Sequence, residues 1–281
     1  MNWNNLPTDS LQVAYLAVSA LMCLSLVVST LEHLGNRKFF LDSGVFSWRV
    51  NKLRSSFAPY PKLLSISDRL LGYRGTLILL TLRLLSVLSM LLGLFLQMKV
   101  GLVPATLLLT TTLLFNLRYR FAEDGSDQVN TLLVVVVCLL AFGQETRLTL
   151  WLGLWFLSLQ MCLAYFVSGY FKLVSPQWRN GQAIFDVLNT ETFGRPNMAE
   201  LIQDKTNLQK TVTWCTLVFE LMFPLVLFTP YPVVYIFFLG GVLLHGGIAL
   251  VMGLNSFFWA FIATYPALWI CSLQLQAVLG Y

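Results

Sequence analysis

Tyr165-Phe-Val-Ser-Gly-Tyr-Phe-Lys172-Leu-Val-Ser-Pro-Gln-Trp178-Arg-Asn-Gly181 closes an uncharged run that begins near Leu148. A helix of about 20 apolar residues crosses a bilayer, and the run reaches that length before its first charge. That charge is Lys172. Pro176 then prevents simple continuation of the helix, and Trp178 follows as an interfacial aromatic. A cation at the end of a membrane helix, next to an aromatic turn, is a place to hold an anion or an acidic substrate.

The rest of the chain repeats the pattern. Hydrophobic residues make up 57% and charged residues 11%, whereas a soluble domain carries about 25% charged residues. With a mean hydropathy of +0.72, lipid must be the main solvent. Apolar runs predict spans at about 11–34, 75–98, 102–116, 128–142, 148–172, 210–228, 232–252 and 256–276. Two segments, 35–74 and 173–209, are amphipathic and interfacial. The expected fold is therefore all-α: one polytopic membrane helix bundle of about eight transmembrane helices over residues 1–281. Residues 1–10 lack the basic region of a secretory signal. The five cysteines all lie in apolar runs and none forms a CxxC, so they read as small buried apolar residues.

The net charge of +5 does not imply nucleic acid, because the basic residues flank the spans. They collect in the loops 35–74, 117–127 and 173–210, whereas the opposite loops hold only Lys99 and Arg147. This bias predicts cytoplasmic large loops and termini outside or in the periplasm of a cell inner membrane. The segment 35–74 interleaves Arg37, Lys38, Arg49, Lys52, Arg54, Lys62, Arg69 and Arg74 with aromatics, the pattern of a helix and loop on an anionic leaflet.

Arg83, Glu220 and His245 fall inside spans, where ionisable residues usually face the bundle interior. At about 1.5 Å per residue each lies roughly 11–15 Å from the inner end of its span. This predicts one polar cluster, with Arg83 or His245 as the partner of Glu220. Two readings of the cluster are open. It is a charge-compensated structural network, or it contacts a ligand. Lys172 likewise either snorkels at a helix C-terminus or acts chemically, and Trp178 is either an anchor or part of a site. Two histidines cannot build a three-histidine metal site, and HExxH, GxSxG and CxxCH are all absent. No metal site is expected.

The residues Tyr165-Phe-x-x-Gly169-x-x-Lys172-Leu-x-x-x-x-Trp178-x-x-Gly181 resemble the core motif of the HTTM family. That family comprises the membrane domain of vitamin K-dependent gamma-carboxylases and their bacterial relatives. Glu220-Leu-Met-Phe-Pro224 is similar to its Glu- and Pro-bearing span. Leu244-His245-Gly-Gly-Ile, followed by Phe257, Ala263 and Pro266, is similar to its histidine-bearing region. The match covers 165–266 best, and earlier residues match by span pattern only. It resembles a bacterial-type member without the carboxylase C-terminal domain. Where the carboxylase carries Asn-His-Ser-Tyr, this chain has Gly125-Ser126-Asp127-Gln128. The charge bias also places Lys172 on the cytoplasmic face, opposite to carboxylase chemistry.

The resemblance implies Lys172 as a base. A lysine at an apolar boundary suits such a role. His245 is the second candidate catalytic residue, and Trp178, Glu220 and Arg83 are candidates to surround a quinone-like lipid cofactor, Arg83 by its depth in the membrane alone. The function expected is binding of a quinone-like molecule or lipid in an intramembrane polar pocket, for redox or peptide-modifying chemistry. The alternative is a non-catalytic accessory or assembly subunit of an inner-membrane complex. Expected partners are membrane lipid, other integral-membrane subunits or a peptide substrate, and no nucleic acid.

Overall fold

The structure is a computed structural model and describes residues 8–54, 59–98, 100–119, 124–143, 145–190 and 194–280. The long helices are α1 (Thr8–Gly35), α2 (Tyr73–Phe95), α3 (Leu102–Tyr119), α4 (Gly125–Phe142), α5 (Arg147–Val174), α6 (Thr206–Met222), α7 (Val234–Met252), α8 (Asn255–Ile262) and α9 (Tyr265–Leu279). Among the described residues there is no strand. Among the described residues seven segments are long and apolar enough to cross a membrane: α1, α2, α4, α5, α6 extended to Leu227, α7, and α8 with α9. The third expected span appears as a shorter apolar helix, Leu102–Arg118. The protein is thus an all-α, polytopic membrane helix bundle. Lys99, and Arg120 of the basic loop 117–127, lie outside the described residues.

Proline and capping residues set several boundaries. Pro224 removes a backbone donor just past α6, and the chain tightens into a 3-10 turn over Phe223–Leu227. Pro266 falls in the first turn of α9, where a missing N–H costs nothing, and the last span breaks between Ile262 and Tyr265. At the start of α4 the Asp124 carboxylate accepts from Ser126 N at 2.8 Å and Asp127 N at 3.1 Å. Asp127 returns the bond to Asp124 N, completing a capping box.

The chain divides into two compact units. One comprises residues 19–149. Its core includes Phe40, Leu80 and Phe115, with Trp48, Leu71 and Leu79 as a second cluster. Arg118 is fully buried there. Its Nε donates to Thr76 Oγ1 at 2.6 Å and Leu71 O at 3.0 Å. Its two terminal nitrogens donate to Phe46 O at 2.7 Å and Phe40 O at 3.0 Å, and the guanidinium lies over the Phe40 ring. Phe40 and Leu71 end helices, where the last carbonyls lack an intrahelical donor, and Phe46 lies in the turn between them, so one side chain ties the interfacial segment to α2 and α3. Placed by sequence in the basic loop 117–127, Arg118 is instead a buried residue in the last turn of α3.

The other unit comprises residues 1–18 and 150–281. Polar side chains pair within it. Trp155 Nε1 donates to Gln274 Oε1 at 2.7 Å, joining α5 to α9, and Gln276 Nε2 donates to Thr229 O at 2.9 Å. Leu152, Phe156, Leu159, Leu163, Phe166 and Tyr170 form an exposed stripe at helical spacing on α5, as expected of a face in lipid. Four of the five cysteines are buried, as read, but Cys215 is exposed.

Candidate functional site

The site is built on the other face of α5. Tyr165, Ser168, Gly169 and Lys172 recur at i, i+3, i+4 and i+7 and therefore line up along one stripe. Tyr165 and Gly169 are buried, while Ser168 and Lys172 are part-buried. Gly169 allows α6 to come close: a Cβ there would stand 3.0 Å from Leu221 N and 3.1 Å from Glu220 Cβ. We expect Gly169→Ala to lower thermal stability in detergent, although alanine is the better helix former, because the helix backbones must part. Gly93→Ala, where a Cβ meets nothing within 4 Å, should not lower it.

Close approach brings Glu220 onto Lys172. The Lys172 ammonium donates to Glu220 Oε1 at 2.7 Å, Glu220 Oε2 at 2.6 Å and Ser168 Oγ at 2.7 Å. All three of its protons are thus engaged. The pair is largely buried, with 16% and 8% of the two side chains exposed. Trp178 covers it, its ring 5.1 Å from Lys172 Nζ. The turn carrying Trp178 is itself fastened to α6. Trp214 Nε1 donates to Arg179 O at 3.2 Å, and Gly181, at φ +89°, lies where a Cβ would be 2.8 Å from Lys210 N.

The expected partner of Glu220 is therefore corrected from Arg83 or His245 to Lys172. The reason is geometric. The short helices Pro176–Arg179 and Gln182–Leu188 fold back beside the first turns of α6, which starts at Thr206. Those turns lie at loop level, so Glu220 comes level with the end of α5. Arg83 belongs to the unit of residues 19–149. Its Nε donates to Thr30 Oγ1 at 2.8 Å, its Nη2 to Ser29 Oγ at 3.2 Å, and it lies over the Phe115 ring.

His245 occupies the inner end of the stripe. Its Nε2 is hydrogen-bonded to Tyr165 Oη at 2.6 Å. The imidazole stacks on Phe261, with centroids 3.9 Å apart, and Tyr165 stacks on Phe223 at 3.8 Å. Gly241, one turn earlier on α7, makes room for the Tyr265 hydroxyl, which a Cβ at that position would strike, with Tyr165 Oη close by. The second imidazole nitrogen, Nδ1, is buried and has no hydrogen-bond partner among the described residues.

No protein-family model, curated protein or solved structure matches the chain. The site must be read from its own chemistry. One face of α5 carries a seam of hydrogen-bonding groups from the bundle's polar edge to its interior: Trp178, the Lys172–Glu220 pair, Ser168, Tyr165, Tyr265 and His245. Phe223, Phe257 and Phe261 wall it. Such a seam offers a cation, hydroxyls and an imidazole to the carbonyl or hydroxyl groups of an amphiphile, and flat aromatic faces to a ring.

Sequence reading named Lys172, Glu220, Trp178 and His245, and the fold brings these four into one unit. It missed Tyr165 and Tyr265 as members of the site. The spacing of Tyr165, Ser168 and Lys172 on one helical stripe was the signal for the first. Nothing in the sequence pointed to Tyr265, which enters only because α8 and α9 break apart at residues 263–264. Among the described residues no cluster of histidine, cysteine and acidic side chains could hold a metal ion.

Proposed function

We propose that the unit of residues 150–281 binds the polar head of a lipid-soluble, quinone-like molecule along the α5 seam, in a multi-pass inner-membrane protein. The observation that carries the reading is the buried Nδ1 of His245. A buried ring nitrogen without a partner is costly in an apolar interior, and a ligand carbonyl or hydroxyl would satisfy it. The residue-level resemblance to the HTTM family adds support, since Lys172, Glu220, Trp178 and His245 are the positions it implies.

The geometry constrains any chemistry. An ammonium bonded to both carboxylate oxygens cannot accept a proton. A base role for Lys172 therefore requires that Glu220 take the lysine's proton, giving an amine beside a carboxylic acid. Arginine would keep the charge pair but would not release a proton. Lys172→Arg is expected to fold and still to bind the ligand, while losing any turnover that depends on proton transfer.

The test is extraction of the full-length protein, purified in mild detergent, followed by mass spectrometry of its bound isoprenoid quinones. The wild type should carry a quinone in near-stoichiometric amount, and His245→Phe should carry several-fold less. A wild-type protein free of quinone but in stoichiometric complex with other membrane subunits would replace this reading with that of an accessory subunit.

The orientation follows from loop charge. A single cysteine at exposed Asn189, in a cysteine-depleted background, should resist an impermeant thiol reagent in intact cells and react after lysis. Labelling of intact cells would reverse the assigned topology.

A further inference from the structure

The segment ahead of α2 encloses an open cleft of about 910 Å³. Its walls are the loop 41–43, the residues around Trp48–Lys52, the end of the helix Pro61–Leu71 and the first turn of α2. Among the described residues four cations line it: Arg49, Lys52, Arg69 and Arg74. Lys52 is taken by Asp68, with Nζ 3.1 Å from the carboxylate, and Trp48 Nε1 donates to the same carboxylate at 2.8 Å. Burial opposes the charge on Asp68, but these donors outweigh it and hold the carboxyl below its ordinary value, so the pair stays ionised. Arg49, Arg69 and Arg74 are exposed and have no hydrogen-bond or ion-pair partner among the described residues. Asp42 is the one other acid in the lining among the described residues. Three guanidinium groups thus face one uncommitted carboxylate.

The position of the cleft says what reaches it. The helix Pro61–Leu71 exposes Leu63, Ile66 and Leu70 on one face and buries Ser67 and Leu71 on the other. It joins α2 through Gly72 alone. An amphipathic helix with an exposed apolar stripe, set directly against the head of a span, lies in the plane between headgroups and acyl chains. The arginines of the cleft then stand at headgroup level, where the available anions are lipid phosphates. The apolar stripe beside them suits acyl chains rather than a soluble anion.

We propose that this cleft is a binding site for the headgroup of an anionic phospholipid, its phosphate held by Arg49, Arg69 and Arg74. The bidentate geometry of guanidinium fits phosphate oxygens. The site belongs to the unit of residues 19–149 and is independent of any ligand on the α5 seam.

The experiment uses full-length protein in nanodiscs of phosphatidylcholine with a minority of phosphatidylglycerol, and native mass spectrometry to count retained lipids. The wild type should retain phosphatidylglycerol over phosphatidylcholine. Removing an arginine contact should cost roughly fivefold in that preference, and the triple variant Arg49→Gln, Arg69→Gln, Arg74→Gln should lose it. Arg37→Gln, Lys38→Gln, Lys62→Gln removes the same charge from the same segment outside the cleft and should retain the preference. Should the triple variant not accumulate, Arg69→Gln alone carries the test. Equal loss in both triple variants would reduce the effect to diffuse charge attraction and overturn the site. So would a wild type without preference, or displacement of the lipid by millimolar inorganic phosphate.

Discussion

Arg118→Leu should destabilise the protein by about 3 kcal/mol or more, the largest effect expected of any single substitution in residues 19–149. The side chain is fully buried and its donors satisfy the carbonyls of Phe40, Phe46 and Leu71 and the hydroxyl of Thr76. Leucine fills part of the volume but takes the donor from the carbonyls of Phe40 and Phe46, at about 1–3 kcal/mol each, while Leu71 O keeps the Thr76 hydroxyl at 3.1 Å. Lysine keeps the charge but has no fork to reach acceptors on separate elements, so Arg118→Lys should recover little. Arg179→Leu, at an exposed arginine, should stay within about 0.5 kcal/mol of wild type. Thermal unfolding in detergent, followed by tryptophan fluorescence, measures all three. An Arg118→Leu protein as stable as wild type would show that the interfacial segment is held by its apolar clusters alone.

The second large effect is at Lys172 and Glu220. Removing either partner leaves a buried, uncompensated charge, which costs about 3–5 kcal/mol. Lys172→Met and Glu220→Leu should therefore each lower stability strongly. The double variant should recover much of the loss, because well-packed apolar residues can replace a buried pair at little cost. Asp186→Leu supplies the comparison in a polar segment. Its carboxylate accepts from Gln182 Nε2 at 2.9 Å but is exposed, so the change should be small. Additive losses at Lys172 and Glu220 would mean that the two side chains do not meet in the membrane.

Much of this fold was written in the sequence. Apolar runs free of charge mark the spans, and Pro176, Pro224 and Pro266 mark where helices start, tighten or break. The ionisable residues of the α5 seam stood out for the same reason, because charge inside an apolar run is conspicuous. Pairing was not legible. Which cation meets Glu220 depends on how far the Pro176–Leu188 segment folds back along α6, and that is set by packing around Gly181 and Trp214. Arg118 was misread because its acceptors are mostly backbone carbonyls, which have no sequence signature. Its charge was counted toward orientation while its function is structural. Tyr165 was hidden by being one of many aromatics, and only its register with Lys172 distinguishes it.

The central claim is that the α5 seam holds the head of a quinone-like molecule. Photo-crosslinking of a diazirine-bearing short-chain quinone to the full-length protein in nanodiscs, with the labelled residues mapped by mass spectrometry, tests it most directly. The account predicts label on the seam, between Tyr165 and Trp178 and between Gly241 and Phe261, competed by unlabelled quinone and reduced in His245→Phe. Label spread over the exposed stripe from Leu152 to Tyr170, uncompeted and unchanged in that variant, would contradict it.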